Sequence, residues 1–315
     1  MIKLDLVTGF LGAGKTTFIK AYAQYLLEKG EKICIIENDF GAINVDMVLL
    51  KELESEKCSL EMIVGGDGDA AHKRRLKTKL ISMGMLGYDR VIIEPSGIFD
   101  MDEFFDLTYE EPLDRWYEIG NVITLVNPRQ GKELSQKSRY ILMSEVADAG
   151  IVVMSRADEA TDQEKSSLLE LINKSMEEYS CSVRLYREKV LDKPIEGFEK
   201  EDFEKISNCG FNKNSFIKNP IDQNNDYQTI FFFDYEMEYE ELSEKIKQVF
   251  ADKDCGKIHR IKGIVKAKNG VTYEINSTSY EIKTSMVQTE RPVLIVIGEV
   301  LNKEGISKYL GMPTL

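Results

Sequence analysis

Hydrophobic positions along this chain fall into two regimes. Over the first part, short apolar runs alternate with longer stretches whose apolar residues recur at helical spacing. The runs at Leu4–Val7 (within Ile2–Val7), Lys32–Glu37, Arg90–Glu94, Val122–Val126 and Ile151–Met154 read as strands. Between them, Lys15–Glu28, ended by Gly30, reads as a helix, as do the basic stretch Ala71–Met85 and Lys132–Val146. A further helix starts at Thr161, because Thr161-Asp162-Gln163-Glu164 has the form of a capping box. This alternation predicts an α/β fold, a parallel sheet with helices on both faces and its ligand at the carboxyl ends of the strands.

From about Glu188 to Asp226 the pattern breaks down into a segment rich in Glu, Lys, Asn and Asp, with Pro194 and Pro220, and it reads as a linker or irregular connection. A second regime follows. Thr229–Phe233 reads as a strand, Glu240–Ala251 as an amphipathic helix, and Lys257–Lys268 with Val271–Ile275 as a hairpin about Asn269-Gly270. Pro292–Val300 is another strand, and Asn302 caps a short final helix. The expected organisation is a first domain at 1–187, a connection at 188–226 and a small α+β domain at 227–315.

Composition narrows the class. Of 315 residues, 43% are hydrophobic and 30% charged, enough apolar content for real cores. A net charge of −13 argues against nonspecific nucleic-acid binding and against acidic membrane surfaces, both of which need a basic face. Cys34, Cys58, Cys181, Cys209 and Cys255 are scattered with no C-x-x-C pair, which reads as reduced thiols. With no apolar run near the ~20 residues of a bilayer span and no leader pattern, the expectation is a cytoplasmic protein.

The chemistry is concentrated between strands and helices. Gly9-Phe10-Leu11-Gly12-Ala13-Gly14-Lys15-Thr16-Thr17 fits G-x-x-x-x-G-K-[ST], placed between a strand and a helix as that loop requires. Its glycines let backbone N–H groups wrap phosphates, Lys15 reaches the β/γ oxygens and Thr16 holds Mg²⁺. The expected phosphate contacts are thus Gly9, Gly12, Ala13, Gly14, Lys15, Thr16 and Thr17. In Glu37-Asn38-Asp39-Phe40-Gly41 a carboxylate, taken as Asp39, can reach the Mg²⁺ shell or the attacking water; a polar turn bending at Gly41 is the plainer alternative. In Ile92-Ile93-Glu94-Pro95-Ser96-Gly97, Glu94 can hold a Mg²⁺-bound water or orient the nucleophile, and Gly97 can offer its N–H to the γ-phosphate. Val152-Val153-Met154-Ser155-Arg156-Ala157-Asp158 occupies the place of the guanine-reading Asn-Lys-x-Asp. Asp158 is retained and accepts from two N–H donors that guanine presents and adenine does not; Arg156 stands for Lys and Ser155 for Asn, so GTP is favoured over ATP. Arg129, in Val126-Asn127-Pro128-Arg129, reads as a surface residue in preference to a phosphate or partner contact.

With these segments the chain resembles the CobW-type GTPases, P-loop metallochaperones related to the nickel-insertion GTPases of urease and hydrogenase. The likeness rests on Gly9–Thr17, Ile36–Gly41 with Val45-Asp46, Glu94–Gly97, and Asp148 with the strand to Asp158. In the second domain it rests on Ile258-His259-Arg260-Ile261-Lys262-Gly263 and Ile295-Val296-Ile297-Gly298. The resemblance implies Mg²⁺-dependent, slow GTP hydrolysis coupled to metal delivery. Lys15, Asp39 and Glu94 would serve catalysis, with Thr16, Asp39 and Glu94 around Mg²⁺ and a client protein meeting the C-terminal domain. The client would be a metalloenzyme or corrinoid protein, and a homodimer is compatible with it.

The departure is at the metal. The family's Cys-x-Cys-Cys aligns, by its preceding glycine, with Asp67, Asp69 and Ala70, and Ala42 replaces a second acid that many members carry after Phe-Gly. Three thiolates make a soft site suited to Zn²⁺, whereas Asp67 and Asp69 offer at most a hard oxygen site for Mg²⁺ or Mn²⁺. Loss of the transition-metal site is the simpler reading, and a changed preference at Asp67/Asp69 the alternative. His72 beside Lys73-Arg74-Arg75 reads as an exposed helix residue, and Cys255 with His259 as a weak ligand pair. Three functions stay open: a GTP switch acting on a metal-cofactor client, a carboxylate-based metallochaperone, and a non-metal assembly or activation factor.

Overall fold

The alternating runs of the first part form seven strands. In chain order the elements are β1 (Ile2–Thr8), α1 (Lys15–Glu28), β2 (Ile33–Asp39), β3 (Cys58–Val64), α2 (Asp69–Gly84), β4 (Arg90–Glu94), α3 (Met101–Thr108) and α4 (Leu113–Trp116). They continue through β5 (Tyr117–Val126), α5 (Gln136–Asp148), β6 (Ile151–Met154), α6 (Asp162–Glu178), β7 (Val190–Leu191) and α7 (Lys200–Ile206). This computed structural model describes the chain apart from residues 40–48, 65–68, 97–100, 219–225, 288–291 and 315, and apart from the side chains of 38, 39, 64, 69–72, 102, 103, 132 and 133. The chain divides into Met1–Asn219 and Pro220–Leu315.

In the first unit the strand order is β3-β2-β4-β1-β5-β6-β7, and every pairing is parallel. The apolar runs are continuous because both faces of this sheet are covered. Val7, Ile33, Ile35, Ile92, Ile123 and Leu125 turn to one face and pack with Phe18, Ile19, Tyr22 and Leu26 of α1. Leu4, Leu6, Cys34, Ile36, Val91 and Ile93 turn to the other and pack with Leu76 and Leu80 of α2 and Phe104 of α3. The capping box is present at α6: the Glu164 amide donates to Thr161 Oγ1 over 3.2 Å, and the Thr161 amide to Glu164 Oε2 over 3.0 Å.

In the first unit α3, α4 and α7 were not foreseen from the sequence, and two further departures have a clear physical reason. The edge strand β3 escaped it because polar Ser59 and Glu61 interrupt its apolar residues. The stretch taken as a connection from 188 belongs, up to residue 219, to the first unit. Here β7 extends the sheet through Val152↔Val190 and Val153↔Leu191, and Ile195, Phe198, Phe203, Ile206 and Cys209 pack onto the α1 face. Its apolar residues are few and irregularly spaced because each fills a gap in an existing surface rather than building a stripe of its own.

The second unit contains β8 (Gln228–Phe233), α8 (Tyr239–Ala251), β9 (Lys257–Lys266), β10 (Thr272–Thr278), β11 (Glu281–Met286), β12 (Val293–Glu299) and α9 (Lys303–Leu310). The sheet order is β11-β10-β9-β12-β8, antiparallel throughout. Gly270, at φ +85°, turns the expected hairpin. One face packs Ile230, Phe232, Ile261, Val265, Ile275, Leu294 and Val296 against Leu242 and Ile246 of α8 and Ile306 of α9. Strand β11 was not legible because its side chains are mostly exposed and polar. Among the described residues no helix is long and apolar enough to cross a membrane.

Candidate functional site

Strand β1 ends at Thr8, and the next six residues turn the chain into α1. Gly9 has φ +144°, and a Cβ there would lie 2.4 Å from the carbonyl oxygen of Leu125, so the loop is pressed onto β5 at a spacing only glycine permits. Gly14, at φ +88°, is the N-cap of α1, and no side chain caps that end. The first amides of α1 are therefore left to an anion. The loop is held from outside by Gln130, whose Nε2 donates to the Leu11 carbonyl over 2.6 Å, and from within by the Ala13 amide, which donates to the Phe10 carbonyl over 3.0 Å. Lys15 arches back, its Nζ donating to the Gly9 carbonyl over 2.9 Å.

Strand alternation explains what meets α1. Ile92 belongs to the α1 face of the sheet, so Glu94, two residues on, is on it too, and so is Glu37, its register partner on β2. Thr16 Oγ1 donates to Glu94, with Oε2 at 3.1 Å and Oε1 at 3.3 Å, and Lys15 Nζ is 4.0 Å from Oε1. All of these side chains are buried, which strengthens the pairings by removing competing water. Sequence reasoning selected Lys15, Thr16 and Glu94, and the structure brings them together. Asp39 closes β2, but its side chain lies outside the described residues, as does Gly97 altogether.

The segment after β6, which the sequence suggested as the base reader, leans on the same loop. The Ser155 amide donates to the Val126 carbonyl over 2.9 Å, and its Oγ turns back to that oxygen at 3.3 Å. A Cβ on Gly14 would touch Ser155 Cβ at 3.7 Å. Arg156 is half-buried at φ +54°, a left-handed conformation that costs a non-glycine residue about 1 kcal/mol. Asp158 is exposed. Arg129 Nη1 donates to Glu159 Oε2 over 3.0 Å, tying the segment after β5 to the one after β6.

On the opposite face of the sheet stands a group that sequence reasoning missed. Glu145, wholly buried on α5, accepts the Thr8 hydroxyl at Oε1 over 2.6 Å. Burial pushes its carboxyl up to about 7, against the pull of Thr8, Lys15 and Gly9. Gln130 was missed as well. Neither has a sequence signal, since a lone Glu or Gln in a helical or turn segment reads as solvated.

The metal candidates fare differently. Asp67 lies outside the described residues, and so do the side chains of Asp69 and His72. Cys255 and His259 do not form a ligand pair: Cys255 is part of the apolar core of its unit, and His259 Nε2 is 2.7 Å from Glu299 Oε1. Among the described residues no group of three or more His, Cys, Asp or Glu is placed to hold a metal ion.

Known proteins resemble this chain, most of all over its first part. A family model described as CobW/HypB/UreG, nucleotide-binding domain, matches residues 4–182. The zinc chaperone YjiA of Escherichia coli is 29% identical over 172 residues, 52% of this chain and 52% of that protein. The zinc chaperone YeiR of the same organism is 27% identical over 169 residues, 53% of this chain and 50% of that one. The chain thus spans about half the length of these curated relatives. The crystal structure of Zn(II)-bound YjiA GTPase covers 98% of this chain and 97% of its own, at 20% identity and a TM-score of 0.39.

Proposed function

Because the chain belongs to the CobW/HypB/UreG family, through a nucleotide-binding domain at residues 4–182, we propose that it is a Mg²⁺-dependent GTP-binding and hydrolysing switch that acts in metal handling. The observation that carries this reading is the buried convergence of Lys15, Thr16 and Glu94 beside an uncapped helix end. The fit to a Mg²⁺ nucleotide is chemical: positive-φ glycines leave a cradle of amides, Lys15 supplies a cation, and the Thr16 hydroxyl and Glu94 carboxylate are hard oxygen donors. When bound, Mg²⁺ would neutralise charge developing on the phosphates.

In this reading Gly9, Gly12, Ala13, Gly14, Lys15 and Thr17 hold the phosphates, and Thr16 with Glu94 and Asp39 orders the water around the ion. Gly97 reports on the γ-phosphate, and Asp158, Arg156 and Ser155 select guanine. The output is a change of conformation read by a metal-cofactor client, a corrinoid protein among the classes that fit. The curated relatives are zinc chaperones, but here Asp67, Asp69 and Ala70 stand where the family's thiolates would be, so the switch works without a thiolate cargo site.

The test is GTP binding and turnover by purified protein, with and without Mg²⁺, and with ATP as competitor. Saturable, Mg²⁺-dependent GTP binding that ATP displaces poorly is expected. Lys15→Ala should lower turnover by at least about 100-fold, the scale of losing one charged phosphate contact. Turnover unchanged in Lys15→Ala would sink the reading. Zn²⁺, Co²⁺, Ni²⁺ and Mn²⁺ titrated against apo and GTP-loaded protein should show no tight site, and a site abolished by Asp67→Ala with Asp69→Ala would restore the chaperone alternative.

A further inference from the structure

Beneath the phosphate loop, on the face away from α1, Glu145 is buried with one oxygen satisfied and one not. Oε1 receives the Thr8 hydroxyl at 2.6 Å, while Oε2 has no hydrogen-bond partner among the described residues. Its own backbone is fixed, with Thr124 Oγ1 donating to the Glu145 carbonyl over 2.9 Å. The carboxyl therefore bears on Thr8, the residue from which the phosphate loop springs. A charge in this position has little to solvate it.

We propose that Glu145 is a positioning residue of the phosphate loop that takes up a proton as nucleotide binds, its ionised form weakening phosphate binding. The inference rests on the nucleotide reading above. Among the described residues the charged groups around it are few. Lys15 of α1 attracts the carboxylate, and Lys15 is shared with Glu94 and with the Gly9 carbonyl. On α3, Asp106 is exposed; on α5 itself, Asp148 accepts from Asn214 Nδ2. On α6, Glu164 is engaged in its capping box and Lys165 with Asp192, and the remaining charges are exposed.

Lys15 is thus the cation that favours the ionised form, and it is the side chain that phosphates recruit. Nucleotide binding adds negative charge beside the carboxyl and draws Lys15 toward the phosphates. Both changes act in the same direction and favour the neutral carboxyl. The bound state then holds one proton more than the free state wherever free Glu145 is ionised, which is above its midpoint near 7. The proton comes from solvent and resides on the carboxyl, and no bond to nucleotide is made or broken.

The experiment is calorimetric titration of GDP and Mg²⁺ into the full chain between pH 6.5 and 8.5, in buffers of differing ionisation enthalpy. This window lies above the titration of the terminal phosphate, which falls at about pH 6. In the parent protein Kd should rise above pH 7, approaching tenfold per pH unit, with net proton uptake. Glu145→Gln should bind with a Kd constant within about twofold over the range and take up no proton. Thr8→Val, which removes a hydrogen bond that favours the anion, should move the onset of the rise to higher pH. Parallel profiles for parent and Glu145→Gln, with GDP bound by both, would overturn the assignment and leave the nucleotide reading standing. Absence of GDP binding by the parent at pH 6.5 would overturn both.

Discussion

Gly9 shows how much of the site depends on one missing methyl. At φ +144° and with the Leu125 carbonyl 2.4 Å from where a Cβ would stand, neither backbone nor neighbour can yield without lifting the loop from β5. Gly30 also has positive φ, +89°, but nothing lies within 4 Å of its Cβ position. The two glycines separate strain from collision. Gly30→Ala is expected to cost about 1 kcal/mol, the price of a left-handed alanine. Gly9→Ala should cost at least about 2 kcal/mol and abolish nucleotide binding, since the clash is with backbone. Denaturant unfolding and GDP titration of both variants measure the difference. Equal losses would show that the contact with Leu125 is not what fixes the loop.

At the scale of elements, a buried ion network joins β1, β4, α1 and the start of β5's inner stretch. Arg90 Nη1 donates to Asp5 Oδ2 over 2.6 Å, Tyr22 Oη to the same oxygen over 2.7 Å, and the Asn121 amide and side chain to Oδ1 at 3.0 Å. Burial holds the Asp5 carboxyl above its ordinary range, with Arg90 and these hydrogen bonds pulling it down. Arg90→Ala leaves that carboxylate uncompensated and is expected to cost about 3–5 kcal/mol, whereas adding Asp5→Asn should recover much of the loss. Chemical denaturation of the single and double variants decides this; a double variant no more stable than the single would place the cost in lost packing instead. None of this network was legible in the sequence. Most strands, the glycine-rich turn into α1 and the place of Glu94 beside it were legible because periodicity and spacing are local. Asp5, Glu145 and Gln130 were not, because each gains its role from a partner 85, 137 or 119 positions away. The edge strands β3 and β11 were missed for the complementary reason, that half-exposed strands carry polar residues and lose their period.

At the scale of the whole molecule, the boundary of the first unit lies about thirty residues beyond where composition placed it. Asn121 holds the late segment to the sheet: its Nδ2 donates to the Ser207 carbonyl over 3.1 Å, and its Oδ1 accepts the Gly210 amide at 2.9 Å. The Val122 amide donates to the Gly210 carbonyl over 2.9 Å. Phe203 stacks on Tyr25 of α1 with ring centroids 5.1 Å apart, and Ile206 is fully buried in the same cluster. A chain cut after residue 187 would expose that α1 face and forfeit the full burial of Ile206, worth about 1.5–3 kcal/mol, together with the partial burial of Ile195, Phe198 and Phe203, each worth a fraction of that. Losses of that size are comparable with the whole stability of a typical domain. A fragment of residues 1–187 should therefore be aggregated or molten, while one of residues 1–218 should unfold cooperatively and bind GDP. Thermal unfolding monitored by near-ultraviolet circular dichroism distinguishes them. A cooperative transition in the 1–187 fragment would mean that the late segment is carried by the first unit without supporting it.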